Sequence, residues 1–266
     1  MKQRADVWLV TRGLAESREK AQALIMAGQV YVGEKKIMKS SEQLAEDAPL
    51  QVRGVQDTFA SRGGHKLEKA ITDFHADVSG KTAMDIGAAT GGFTDVLLRH
   101  GAAHVYAIDV GYGQLDWKLR NDSRVTVMER TNARSLTAEQ FSRRPDLTVM
   151  DVSFISIRLI LPLAAAIMGD RGRFLTLIKP QFEAGKGQVG KNGVVREKEI
   201  HERVLREICA FAPSFGWHVE NLTFSPIKGP AGNIEFLADI QPGPRDGISE
   251  ERIKDLVDTA HRELHG

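Results

Sequence analysis

Eleven residues constrain this chain more than any others: Met84-Asp85-Ile86-Gly87-Ala88-Ala89-Thr90-Gly91-Gly92-Phe93-Thr94. An apolar run closes on an acid, turns through glycines and leads into an amphipathic helix. That is the strand–turn–helix layout of a nucleotide-type site. The glycines let the backbone approach a ligand, and the helix start leaves N–H groups free. The spacing Gly87-x-x-x-Gly91-Gly92 departs from the G-x-G-x-x-G of a dinucleotide site. Twenty-four residues after Asp85, the run Val105-Tyr106-Ala107-Ile108-Asp109 closes on a second acid. A carboxylate there can take both hydroxyls of a ribose. The plainer reading is a tight turn and an acid that merely ends a strand. The second acid at the expected distance weighs against it.

From Lys66 onward strands and helices alternate. Strands are expected at 81–86, 104–109, 125–129, 147–152, 173–179, 218–224 and 233–240, and helices near 93–100, 157–168, 198–211 and 249–264. Leu67, Ala70, Ile71 and Phe74 make one face of a further helix that Lys66 opens. Gly101 and Gly169 stand where helix ends need them. The pattern predicts a mostly parallel sheet with helices on both faces. The last two strands have no helix between them, which suits an antiparallel final strand. Ligands of such a sheet lie beyond the carboxyl ends of its strands.

The first sixty residues read as a separate small α+β unit. Ala5 to Val10 is a short apolar helix. Ser17 caps a second one, Arg18 to Ala27, which Gly28 ends. Val30-Tyr31-Val32 and Ile37-Met38 pair across Gly33-Glu34-Lys35-Lys36, and Leu50-Gln51-Val52 adds a strand. Asp57 to Gly64 reads as a linker made flexible by Ser61, Gly63 and Gly64. The expected division is 1–60 and 61–266. Residues 1–40 hold eight basic and four acidic side chains, Glu16 among the latter, a modest basic patch on a chain whose net charge is only +1. Such a patch suits a nucleic-acid partner or a merely solvated surface.

The only cysteine, Cys209, rules out a disulfide framework or a multi-cysteine metal site, and fits a reducing, cytoplasmic setting. No leader pattern opens the chain. Leu159 to Met168, the longest apolar stretch, contains Pro162 and is too short to span a bilayer.

Four ionisable residues fall where this fold exposes side chains. Lys66 opens a helix, Asp151 ends the fourth strand, Lys179 ends the fifth, and Glu235 lies early in the last. Charges in apolar strands are costly unless paired. They make either two structural ion pairs or one site.

Thr82-Ala83-Met84-Asp85-Ile86-Gly87 resembles the first motif of S-adenosylmethionine-dependent methyltransferases. Residues 61–240 resemble the FtsJ-type ribose 2′-O-methyltransferases, whose Lys-Asp-Lys-Glu tetrad matches Lys66, Asp151, Lys179 and Glu235 in order. The run Arg4-x-Asp6…Leu9-Val10…Arg12-Gly13-Leu14-Ala15-x-Ser17-Arg18-x-Lys20-Ala21…Ile25…Gly28-x-Val30-x-Val32 resembles the αL RNA-binding module of a small-subunit ribosomal protein, pseudouridine synthases and tyrosyl-tRNA synthetase. Joined through Ser61-Arg62-Gly63-Gly64-x-Lys66-Leu67, the two resemble the TlyA family over nearly the whole chain to Ile240.

That resemblance implies a Rossmann-like α/β methyltransferase domain behind a small α+β RNA-binding domain. It implies 2′-O-methylation of cytidine in ribosomal RNA, some family members acting on both subunits and some on the large one. The cofactor is then S-adenosylmethionine, held by Asp85, Gly87, Ala88, Gly91, Gly92, Phe93, Asp109 and Asp151, with Asn132 at the adenine edge. Arg4, Arg12, Ser17, Arg18 and Lys20 are the RNA-binding candidates. Partners are ribosomal RNA or ribosomal subunits, with no membrane, no metal and no protein partner expected. Lys179 is assigned by resemblance as the base for the hydroxyl, with Asp151 orienting it and Lys66 and Glu235 completing the charge network. A lysine beside other charges and away from water can serve in that way.

Other readings are weaker. Gly185-Lys186-Gly187-Gln188-Val189-Gly190-Lys191-Asn192 nearly spells a phosphate-binding loop, but Asn192 replaces its Ser/Thr. A carbon-methylating enzyme needs a nucleophilic cysteine, and Cys209 reads as a structural thiol. An amino-methylating one carries prolines after the fourth strand, where Asp151-Val152-Ser153-Phe154 has none. His65, Trp117 and Trp217 read as packing residues. Many TlyA-like proteins carry the label hemolysin, so a membrane-active protein is an alternative. An RNA-binding protein with a vestigial cofactor site is another.

Overall fold

The computed structural model describes residues 2–15, 17–53, 59–185 and 187–264. Glu16, Asp57 and Lys186, named above, lie outside them. The chain divides into two compact units, 1–58 and 59–266.

In the first unit β1 (Lys2–Arg4) runs into α1 (Ala5–Thr11) and α2 (Arg18–Met26) follows. Ser17 caps α2 by accepting from the Lys20 N–H at 3.2 Å, and Gly28, at φ +69°, follows its end. A three-stranded sheet has the order β3 (Lys35–Lys36), β2 (Val30–Val32), β5 (Leu50–Val52). The expected partner strand at Ile37-Met38 starts two residues earlier, because Gly33 and Glu34 alone make the turn. Ile37 still donates to the Val30 carbonyl. Neither β1 nor its antiparallel partner β4 (Gln43–Ala45) was expected from the residue pattern. Both are three residues long and lean on a shared core of Ala5, Leu9, Ile25 and Ile37. Asp6 is fully buried and accepts from Arg4, Arg18 and Gln22 at 3.0–3.1 Å. The Arg4 hydrogen bond in the first place, with Gln22 and Arg18 adding, holds its carboxyl well below the usual range against the opposing cost of burial. Both arginines are partly exposed, so solvent screens part of that gain.

The second unit is a seven-stranded sheet in the order β11 (Trp217–Phe224), β12 (Phe236–Pro242), β10 (Arg173–Ile178), β9 (Leu147–Met150), β6 (Thr82–Ile86), β7 (His104–Ile108), β8 (Val125–Met128). Only β12 runs against its neighbours. Alternate residues point to opposite faces of a strand. Met84, Ile86, Met150, Phe174 and Phe236 join one core with α6 (Leu161–Met168), α8 (Lys198–Phe211) and α9 (Glu250–Leu264). Ala83, Val105, Val149, Leu175 and Leu237 join the other with α3 (Gly64–Asp73) and α4 (Gly92–Arg99). The buried face of α9 carries Ile253, Val257 and Ala260, so its apolar stripe is spent on the sheet. Among the described residues no helix is long and apolar enough to cross a membrane.

Several expected boundaries shift. The fourth and fifth strands stop at Met150 and Ile178, so Asp151 and Lys179 follow them. The last strand starts at Phe236, so Glu235 precedes it. The helix expected at 157–168 is a 3₁₀ turn, Ile157–Leu159, and then α6. Two short helices, α5 (Trp117–Arg120) and α7 (Pro180–Glu183), were not foreseen. The described part of the supposed linker is built into the second unit. The Ala60 N–H donates to Asp95 at 2.9 Å and Arg62 to the Lys228 carbonyl at 2.8 Å. A side chain on Gly64 would meet Phe59, so that glycine serves close approach. Trp217 is buried, but Trp117 is 74% exposed and is no packing residue.

Asp6→Ala strips three side chains of their shared acceptor. The expected loss is about 1–3 kcal/mol in the first unit, read as faster hydrogen exchange of the α1 and α2 amides with the second unit unchanged.

Candidate active site

Strand parity builds the site. Ala83, Val149, Leu177 and Leu237 face α3 and α4 from within their strands. The positions two residues along are Asp85, Asp151, Lys179 and Glu235, so all four share that face. Their strands β6, β9, β10 and β12 are neighbours, about 4.8 Å apart. Lys66 reaches the same spot from the first turn of α3.

The result is a chain of opposite charges. Lys179 Nζ lies 2.5 Å from Asp151 Oδ1. Lys66 Nζ lies 3.5 Å from Asp151 Oδ2 and 2.7 Å from Glu235 Oε2. Lys66, Lys179 and Glu235 are buried. Gln181 donates to the other oxygen of Glu235 at 3.4 Å. Lys179 also donates to the Ser153 hydroxyl at 2.9 Å.

Beside this chain lies a cavity of about 380 Å³ walled by Gly87, Ala89, Asp109, Asn132, Asp151 and Phe154, among others. A broader trough of about 900 Å³ runs along Glu220, Arg245 and Arg252. None of the glycine-turn or charged strand-end residues borders it, so it is no rival. Gly87 sits at φ +87°, and a Cβ there would come 2.4 Å from the Asp151 carbonyl oxygen. Asp109 accepts from the Ala89 and Gly111 N–H groups at 2.8 and 2.7 Å, which fixes its carboxylate at the cavity wall. Asn132 lines the wall and accepts from the Arg134 N–H at 3.0 Å.

The other turn residues lie behind the wall. Asp85 is fully buried beneath α4 and accepts from the Thr94 hydroxyl at 2.7 Å, while its Oδ1 has no partner. Burial pushes its carboxyl up to about 7, the Thr94 hydrogen bond opposes, and the charge of Asp151 adds. A side chain on Gly91 would strike Leu119 and Leu115, and one on Gly92 would strike Ser61. Ala88 and Phe93 belong to the core. These glycines shape the turn without facing the cavity.

Sequence reasoning passed over Phe154. It is 91% exposed, at φ +65°, with its ring centroid 5.1 Å from that of Phe182. A bulky residue rarely holds that backbone conformation. Its one sequence signal is an aromatic residue three positions after a strand-end acid. Burial pushes the thiol of the partly buried Cys209, packed against the core, up to about 12, in keeping with an inert side chain.

Residues 59–240 match the FtsJ-like methyltransferase family, and residues 3–48 match the S4 domain. The 16S/23S rRNA (cytidine-2′-O)-methyltransferase TlyA of Mycobacterium tuberculosis is 43% identical over 97% of this chain and 96% of its own. The chain belongs to the TlyA family. YqxC of Bacillus subtilis, provisionally named an rRNA methyltransferase, is 48% identical over 99% of this chain and 95% of its own. A solved structure from Streptococcus thermophilus, provisionally named a hemolysin, matches with a TM-score of 0.80 at 46% identity, covering 99% of this chain and 97% of that one. The two names thus attach to one TlyA architecture. All four charged residues fall inside the FtsJ-like match, and Arg4, Arg12, Ser17, Arg18 and Lys20 inside the S4 match.

Within that S4 domain several basic residues already have partners. Arg4 and Arg18 share Asp6. Arg12 donates to the Ala48 and Glu46 carbonyls and lies 4.8 Å over the Trp8 ring. Ser17 is the α2 cap. The guanidinium groups are thereby held in place, with Arg4 and Arg18 still open to solvent on one side.

Two outcomes follow. Gly87→Ala adds a clash to the roughly 1–2 kcal/mol cost of left-handed backbone, whereas Gly113→Ala, at φ +71° in open space, bears the backbone cost alone. Thermal unfolding should rank Gly87→Ala as clearly worse, and equal losses would show that nothing crowds Gly87. Asp85 binds its proton more tightly folded than unfolded. Stability should therefore fall as pH rises from about 4 to 7, by up to about 1.4 kcal/mol per unit, and level off above. Asp85→Asn should remove that slope in denaturant titrations.

Proposed function

We propose that this chain binds S-adenosylmethionine and methylates the ribose 2′-hydroxyl of a cytidine in ribosomal RNA. One observation carries the reading. Asp151 belongs both to the wall of a cavity of nucleoside size and to the chain Lys179–Asp151–Lys66–Glu235. The named activity of the Mycobacterium tuberculosis relative, 43% identical, supports the substrate.

The residues present fit the cofactor. Gly87 lines the cavity and lets the Asp151 segment close against the turn. Asp109, fixed by two N–H groups, keeps lone pairs for ribose hydroxyls. Asn132 suits an adenine edge, and the volume falls in the usual range for small-molecule sites,. When bound, S-adenosylmethionine supplies an activated methyl group whose transfer needs no metal.

The protein's own part is to position the ribose and take a proton. A hydroxyl is a weak nucleophile until a base removes its hydrogen. Lys179 does so, and the ammonium it forms lies against Asp151. Lys66 is gripped by two carboxylates and serves as a fixed charge, whereas Lys179 shares one of them and otherwise meets a neutral hydroxyl. Glu235 holds Lys66 from the far side, so the chain stays balanced. Phe154, exposed at the cavity wall, offers a face on which an unstacked base can rest. The S4 domain supplies cationic contacts to phosphates, which makes RNA affinity salt-dependent. Such an enzyme works where ribosomal subunits are, in the cytoplasm.

The test is transfer of labelled methyl groups to isolated ribosomal subunits, with the modified ribose mapped. Lys179→Ala should cut the rate by roughly 10²–10⁴ while cofactor and RNA affinities stay close to normal. Lys179→Arg should not restore it, because a guanidinium gives up no proton near neutral pH. A fully active arginine variant would remove Lys179 as the base.

A further inference from the structure

The Lys179 amine has two close neighbours of different kinds. Asp151 Oδ1 is 2.5 Å away, but it falls outside hydrogen-bond alignment and is left without a directed donor. That contact supplies charge and says little about direction. Among the described residues, the one directed hydrogen bond of the amine goes to Ser153 Oγ at 2.9 Å. Ser153 stands on the cavity wall with Asp151, two residues along the same loop.

We propose that Ser153 is a positioning residue for the reaction, its hydroxyl aiming the Lys179 amine into the cavity while Asp151 holds the charge. This rests on Lys179 being the base. As the base the amine carries two N–H groups and one lone pair. Ser153 takes one N–H and the Asp151 carboxylate lies against another side of the amine, so the lone pair is left for the cavity. A neutral acceptor suits the task, because a second carboxylate would stabilise the ammonium and keep the amine from acting as a base.

The loop is built to keep Ser153 still. At its start the Asp151 N–H donates to the Ile86 carbonyl at 3.1 Å. At its end the buried Glu183 carboxylate accepts from Ser156 Oγ at 2.6 Å and the Ile157 N–H at 2.8 Å. Glu183 closes α7, the short helix that Lys179 caps. The segments bearing Ser153 and Lys179 are thereby tied together beyond the site. The left-handed Phe154 directly after Ser153 is the strain that this tying sustains,.

The experiment uses the full chain, isolated ribosomal subunits and single-turnover methyl transfer. Ser153→Ala should slow the saturated rate by about 10- to 100-fold, the scale of a misplaced catalytic group. Half-saturating concentrations for cofactor and subunits should stay within about threefold of wild type, and Ser153→Thr, which keeps the hydroxyl, should recover most of the rate. In a Lys179→Ala background, Ser153→Ala should cost nothing further, since residues acting through one another are not additive. An unchanged Ser153→Ala rate overturns the proposal, as does an equal loss in both backgrounds. If Lys179→Ala itself keeps the wild-type rate, the base assignment and this proposal fall together. If it loses rate while Ser153→Ala does not, only this proposal falls.

Discussion

Everything at the site hangs on one carboxylate. Asp151 meets Lys179 through one oxygen and Lys66 through the other, and it walls the cavity as well. Buried charges survive only in balanced sets, and breaking such a set by removing one partner costs about 3–5 kcal/mol. The set therefore fixes more than chemistry. Lys66 binds α3 to the sheet, Glu235 binds the start of the antiparallel strand, and Lys179 binds the turn after β10. A charge set that doubles as a clasp between four elements is held in place from several sides.

The cavity side rests on a different economy. The glycine turn carries almost no side-chain chemistry. Its work is to let three structures approach: the Asp151 carbonyl at Gly87, the leucines of the 115–119 region at Gly91, and the Ser61 segment at Gly92. Asp85 beneath it is fully buried, with the Thr94 hydroxyl on one oxygen and no partner on the other. The same principle appears at Phe154, where an exposed ring and a left-handed backbone occur together beside the cavity.

The S4 domain stands on its own interior and its own buried charge. Asp6 gathers Arg4, Arg18 and Gln22 much as Asp151 gathers two lysines. There the charges are partly solvated and the grouping presents cations outward. In the methyltransferase domain they are buried and the grouping faces a cavity. The same pairing of arginine or lysine with aspartate thus stands at a solvated surface in one unit and beside a cavity in the other, and the difference is solvent access.

Periodicity and spacing alone determined much of this protein. The alternation from Lys66, the glycine turn, and the acids at 85 and 109 were enough for a mostly parallel sheet with an antiparallel last strand. Asp151, Lys179 and Glu235 stood out as charges at the ends of apolar strands, and the resemblance to the FtsJ-type tetrad grouped them with Lys66. Strand ends were blurred by one to three residues, since Asp151, Lys179 and Glu235 continue the alternation of the strands they flank. What only the tertiary structure decided was contact across distant segments. It put Asp85, Ala88 and Phe93 behind the wall and turned Gly91 and Gly92 toward packing. It set Ser153 on the Lys179 amine and left Phe154 and Trp117 open to solvent. Sequence pattern reports which face a residue takes, but the partner on that face comes from another stretch of chain, and only the packed sheet brings the two together.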